Sequence, residues 1–254
     1  MRNRTNLLQA VISSMLLLLL ATAASTVIAA DQAPPADIKP PSTEFKLTTS
    51  WYRASDRNHA NDINLRGRFG DHTAWVGFYR DHQSTQQART GYEFTQRVDI
   101  AQIVWSVQAA GGGFVGSSVN AQIGDATYAI AGFGRTNLRN YYNLNFDPND
   151  AITIGVGHHL NSDTDISLYQ VRDDRLPTRQ RMTHLYLHQN LSDGIRYSID
   201  ASYKSGLNSD GNFITGYGFT VTLAQHDYFV RLAHDPYANF GSVRQTRVSL
   251  GKTF

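Results

Sequence analysis

The chain of 254 residues contains no cysteine, so no disulfide closes its structure. Charged residues are few, at 17%, which is low for a soluble surface. Proline is scarce outside one short stretch: four of the seven prolines fall within residues 31–41. Beyond the first 30 residues no apolar run approaches the length of about 20 residues that a membrane-spanning helix needs. Lipid admits only helices and closed barrels, because every backbone hydrogen bond must be made internally. A membrane protein built from this sequence therefore has to be a barrel.

The N-terminus carries Arg2 and Arg4 and no acid. An apolar stretch centred on residues 16–20 follows, then a run of small residues. This is the three-part pattern of a secretory signal peptide. Cleavage after Ala29 places Val27 and Ala29 at the recognised positions, and cleavage after Ala30 would place Ile28 and Ala30 there; the former is preferred. Residues 1–29 are thus expected to be a signal peptide, and residues 30–42 a proline-rich periplasmic leader. Residues 43–254 show no further break in composition and form one domain.

What that domain does have is alternation. Tyr197, Ile199, Ala201 and Tyr203 alternate with Arg196, Ser198, Asp200, Ser202 and Lys204. Phe213, Tyr217, Phe219, Val221 and Leu223 share one parity, with Gly216, Gly218, Thr220 and Thr222 on the other. Ile103, Trp105, Val107 and Ala109 oppose Gln102, Ser106 and Gln108, with Val104 the exception; Ile63, Leu65 and Phe69 oppose Asn64, Arg66 and Arg68. Period two with one apolar face is a strand pattern. A soluble β-sandwich shares it, with the apolar face as core. Three features favour the barrel: runs of about ten residues separated by turn signals with no helical pattern between them; aromatics near strand ends at Trp51-Tyr52, Tyr141-Tyr142 and Tyr228-Phe229, which fit interfacial girdles; and the C-terminus.

The last nine residues, Thr246 to Phe254, alternate and end on phenylalanine. They resemble the C-terminal signal read by the barrel-assembly machinery of Gram-negative bacteria, with Val248, Leu250 and Phe254 on one face. Lys252 departs from the usual apolar choice, and its stem could snorkel to the membrane boundary. The resemblance implies an outer-membrane location, with outer-membrane lipids, lipopolysaccharide and the assembly machinery as partners.

Long connections fall at residues 54–60, 81–88, 173–179, 206–212 and 235–242, and short ones at 70–71, 98–100, 124–125, 191–194 and 224–226. Barrels of this type place short turns at the periplasm and longer loops outside. A greedy reading gives an odd fifteen strands, with a phase slip between Ala126 and His159. Treating residues 136–150 as largely an extracellular excursion leaves an all-β, closed antiparallel barrel of fourteen strands, with twelve or sixteen as alternatives.

A fold is not a function. His184 and His188 have metalloprotease spacing, but on a strand four residues span about 13 Å and cannot share a metal. His158 and His159 point to opposite faces. The run Gly111-Gly112-Gly113 is a flexible turn, not a phosphate loop. No metal, cofactor or nucleic acid is expected. Outer-membrane hydrolases pair a histidine with a serine on the outer wall, and only His159 with Ser162, or His184 beside Thr183, offer anything similar. The inward face is more informative. Alternation turns Arg66, Arg68, Arg89, Arg97, Arg196, Lys204, Arg231 and Arg247 inward against the acids Asp62, Glu93, Asp200 and Asp235. Beyond residue 30 arginine outnumbers lysine 17 to 4, and its planar fork suits carboxylates and phosphates. A passive channel for small, anionic solutes is the first expectation. A lipid A or phospholipid hydrolase is the alternative, and a barrel filled by its own ion pairs is the third.

Overall fold

A computed structural model describes residues 43–142, 147, 148 and 150–254. The segments read as signal peptide and leader lie outside the described residues. Fourteen strands follow one another: β1 (Thr43–Ala54), β2 (His59–Phe69), β3 (His72–Asp81), β4 (Gln86–Val98), β5 (Ala101–Ala110), β6 (Phe114–Gly124), β7 (Thr127–Thr136), β8 (Ala151–Asn161), β9 (Thr164–Asp173), β10 (Arg181–Asn190), β11 (Ile195–Leu207), β12 (Phe213–Gln225), β13 (Tyr228–Asp235) and β14 (Gln245–Thr253). Each pairs antiparallel with its neighbours in sequence, and β1 pairs with β14, so the sheet closes into a barrel without an edge. The fourteen-strand reading holds, and the phase slip in the sequence falls on the connection between β7 and β8.

Register converts the alternation into two surfaces. Leu47 lies opposite Leu65, Ile63 opposite Phe78, Trp105 opposite Phe94, Val221 opposite Leu232, and Leu250 opposite Val230. These side chains point away from the barrel axis, and large apolar residues such as Ile154, Tyr217 and Leu223 are exposed there. β-Branched and aromatic residues suit this pleated, one-sided surface. The opposite parity lines the lumen and is mostly polar. Trp51 and Tyr228 face outward as girdle residues should, but their neighbours Tyr52 and Phe229 are buried inside.

The connections divide the barrel into two unlike rims. One rim carries turns at residues 70–71, 99–100, 125–126, 162–163, 191–194 and 226–227. The other carries longer loops, the longest being residues 137–150. Tight turns demand left-handed backbone, and Gly124 at φ 136° supplies it where a side chain would strike the backbone of Thr127 and Tyr128. On the inner wall near the short-turn rim, three rings lie across glycines of the next strand: Trp75 over Gly91, Tyr128 over Gly157 and Phe229 over Gly251. A Cβ at any of these glycines would overlap the ring. The rings therefore lie along the wall instead of standing into the lumen.

The seam is built from the two ends of the domain. Phe45 and Phe254 exchange two backbone hydrogen bonds of 2.8 Å, and their rings stack at 6.0 Å. Phe69 meets Phe45 edge-on at 5.7 Å. Val248, Leu250 and Phe254 share the outward face, and all three are exposed. Lys252 also points outward, with its ammonium 5.2 Å from the Tyr228 ring, which gives the snorkelling stem a place to end.

Deleting Phe254 removes both hydrogen bonds and the stacked ring from the seam, while no lumen side chain changes. Folded yield in outer-membrane fractions, read as heat-modifiability on gels, should fall, and conductance per inserted molecule should stay the same. A normal folded yield would show that the seam does not depend on this residue.

Candidate solute path through the barrel

The half of the lumen nearest the long loops is packed. Asp62 and Arg89 form a salt bridge there with side chains 1% and 2% exposed. Lys204 and Asp235 form another at 2.7 Å, both side chains fully buried. Lys204 also donates to the Tyr237 carbonyl and lies 4.6 Å from the Phe240 ring, which draws loop 236–244 inward. Pro236 and Tyr237 pack where a side chain at Gly216 would otherwise stand.

The loop at residues 137–150 departs from the sequence expectation. An outward excursion was anticipated, with Tyr141 and Tyr142 in a girdle. Its described residues instead turn into the barrel. The Gln87 side chain donates to the Asn140 carbonyl at 2.9 Å and accepts from the Tyr142 amide at 2.9 Å, while Arg89 donates to the Tyr142 carbonyl at 3.0 Å. The Tyr142 ring stacks on Tyr79 at 5.4 Å, and the Tyr141 ring stacks on Phe114 at 4.4 Å. At Asp147 the same loop reaches His184 on β10, 2.8 Å away. β4 and β10 stand on nearly opposite sides of the ring of strands, so the loop's anchor points lie across the lumen. The physical reason is partner supply. Gln87 and Arg89 face inward at a height where the loop backbone brings the acceptors and donors they lack. The loop's base is fixed by Asp150. Burial acts to raise its carboxyl pKa, but hydrogen bonds from the Thr136 side chain and backbone and from Arg175 outweigh burial and hold it below the ordinary aspartate value.

The half nearest the short turns is different. Arg66 pairs with Glu93, and Arg97 pairs with Asp71 of the first short turn. Among the described residues, Lys46, Arg68, Arg196 and Arg231 form no salt bridge. Lys46 and Arg231 approach the same Phe229 ring, at 4.2 Å and 5.5 Å from its centroid. Arg231 also donates to Thr222 at 3.1 Å. Two adjoining recesses open here. One of about 380 Å³ is lined by Glu44, Lys46, Arg66, Arg68 and Arg231 among others; one of about 200 Å³ is lined by Lys46, Arg196, Arg231 and Asp227 among others. Every short turn also carries an aspartate (Asp71, Asp99, Asp125, Asp163, Asp193 and Asp227), all exposed to solvent, where water screens them. Asp is a turn former for local reasons.

All eight basic residues assigned inward from alternation have inward parity in the register. They do not act as one wall. Arg89 and Lys204 are consumed by buried pairs, Arg247 is buried near the Tyr52 ring, and the open positive charge gathers near the short turns. Lys46 belongs to that group and was missed, although the alternation Lys46, Thr48, Ser50 against Leu47, Thr49, Trp51 contains it. His159 and Ser162 do not come together. His159 points inward and pairs with Asp165 at 2.8 Å, while the Ser162 hydroxyl donates to Asp163 at 3.0 Å in a short turn. Neither lies on the outer wall near the long loops. His184 points inward, stacked on Tyr169 at 4.7 Å and held between Asp147 and Asp200. All four partners of the predicted inward acids are now visible: Arg89 for Asp62, Arg66 for Glu93, His184 for Asp200 and Lys204 for Asp235.

No protein-family model matches the sequence, and no curated protein matches it. Among solved structures, the outer membrane protein Omp33 of Acinetobacter baumannii is similar at a TM-score of 0.53 with 8% identity, covering 85% of this chain and 100% of that one. The fold is that of an outer-membrane β-barrel. Looser likeness extends to the NanC porin, at a TM-score of 0.48 with 7% identity over 81% of this chain and 98% of that one. The KdgM porin, solved in complex with disordered oligogalacturonate, gives 0.46 with 8% identity over 82% and 99%. At these identities the likeness concerns the fold alone.

The packed half yields two tests. Asp62→Asn leaves the Arg89 guanidinium buried without its carboxylate and should cost about 3–5 kcal/mol, whereas Glu93→Gln, at a water-exposed pair, should cost no more than about 1 kcal/mol. Urea unfolding midpoints of the two variants in vesicles compare them directly. Replacing Tyr141 and Tyr142 together by alanine removes two rings from the lumen and should raise single-channel conductance, by roughly twofold if these rings set the narrowest section. Unchanged conductance would place the constriction elsewhere.

Proposed function

We propose that the chain is a passive channel of the Gram-negative outer membrane, exported with residues 1–29 removed, and that it prefers small anions. The observation that carries this reading is the cluster of Lys46, Arg68, Arg196 and Arg231, which faces the lumen without carboxylate partners among the described residues. Basic side chains lining a water-filled passage raise the local concentration of anions. In barrels of this kind the short turns face the periplasm, so the cluster stands in the periplasmic half and the packed loops at the cell exterior. The inward-folded loops narrow the outer half, which favours small solutes over large ones.

The reading is tested by the reversal potential of the reconstituted protein across a potassium chloride gradient. Anion preference is expected. It should weaken in Arg68→Gln/Arg196→Gln and fade in molar salt, where the screening length falls from about 10 Å at 0.1 M to about 3 Å. Silent bilayers or cation preference would overturn the reading.

A further inference from the structure

Channel walls can bias a current without binding anything. The short-turn half of this barrel has the features of a binding site as well. Away from the recesses, Arg89 is matched by Asp62 and Lys204 by Asp235, and within the larger recess Arg66 is matched by Glu93. At the junction of the two recesses the matching stops. Lys46 and Arg231 line both recesses and lie against the same Phe229 ring, while Arg68 adds charge to the larger recess and Arg196 to the smaller. Each recess has one carboxylate among its lining residues, Glu44 in the larger and Asp227 in the smaller. Neither is within salt-bridge distance of these cations.

One of the rings laid over glycines, Phe229, borders this space. Phe229 is pressed against Gly251, so its face forms a fixed floor under Lys46 and Arg231. The Arg231 guanidinium is held by Thr222 through one nitrogen, Nε. Its two terminal nitrogens retain the planar fork that donates to a phosphate or carboxylate edge. The larger recess alone falls within the range of about 300–1,000 Å³ usual for small-molecule sites.

We propose that these two recesses form one saturable site for a small anion bearing two or more phosphate or carboxylate groups, one group in each recess, with Lys46 and Arg231 between them. The proposal rests on the channel reading for the solute's access to the lumen. A monovalent anion would engage one recess only, so charge number sets affinity. Such a solute pauses in the lumen and reduces the current carried by chloride.

The full-length protein, purified from outer membranes in detergent, is titrated calorimetrically with pyrophosphate and with citrate, and with chloride at matched ionic strength. Saturable one-to-one binding of pyrophosphate or citrate, with none for chloride, is expected, and the pair of probes separates phosphate from carboxylate recognition. Lys46→Gln/Arg231→Gln should weaken binding about tenfold or more. Arg68→Gln/Arg196→Gln, at solvent-exposed positions that tolerate change, should weaken it in the same direction. Arg135→Gln, at the opposite rim, should leave it unchanged. No saturable binding of either probe, or equal binding in folded variants of both pairs, overturns the site. Because the titration needs no current, its failure beside an anion-selective current removes the site and leaves the channel. A silent bilayer beside intact binding does the reverse.

Discussion

Every backbone polar group in this sheet must find its partner within the sheet, because lipid offers none. The pairing of β1 with β14 meets that demand, and the other features follow from it. Closure removes the edges on which a disulfide-free chain of this size would otherwise aggregate. With neighbouring strands antiparallel all the way round, closure demands an even number of them, and fourteen meets it. It also gives each strand one face toward lipid and one toward the lumen, so the period-two pattern becomes a hydrophobic exterior and a mostly polar interior, with a small buried cluster of Tyr52, Ala60 and Tyr79 inside the wall.

Inside, the decisive variable is height. Near the long loops the lumen is filled by side chains and by two inward-turned loops, so charges there are desolvated and occur as pairs: Arg89 with Asp62, Lys204 with Asp235. An unpaired charge in such surroundings would cost several kcal/mol. Near the short turns the recesses leave Arg68 and Arg196 exposed, and unpaired cations are tolerable there. The same residue type therefore serves as filler at one end and as an electrostatic surface at the other. The Asp147–His184–Asp200 contact belongs to the first category, joining a loop to the far wall.

The barrel, its strand number and its seam were legible because they depend on parity and on turn residues, both local in sequence. The inward assignment of Arg66, Arg68 and Arg231 required nothing more. What parity could not supply was pairing. That Arg89 is spent on Asp62 while Arg231 is not depends on heights and neighbours set by register across several strands. The direction of loop 137–150 was also hidden. Tyrosines, asparagines and a proline describe an outward loop as well as an inward one, and the choice was made by Gln87 and Arg89, more than fifty positions earlier. Lys46 shares the inward parity of Thr48 and Ser50 on β1, so the same alternation contained it. The ring-over-glycine pairs needed register, since nothing in the sequence around Gly251 marks Phe229 as its neighbour.

The Phe45–Phe254 seam has a consequence for how the molecule forms. Its two partners stand near the start of β1 and just beyond β14, so the contact that completes the sheet also has the greatest separation along the chain. Loop-closure entropy for that contact must be met before the barrel has any edge-free state to occupy. Hairpins can assemble in succession, but each incomplete arc still presents two unpaired strands to its surroundings. Closure is therefore coupled to the arrival of β14. A chain interrupted in synthesis before β14 would remain an open sheet, and such sheets bind one another as readily as they bind themselves.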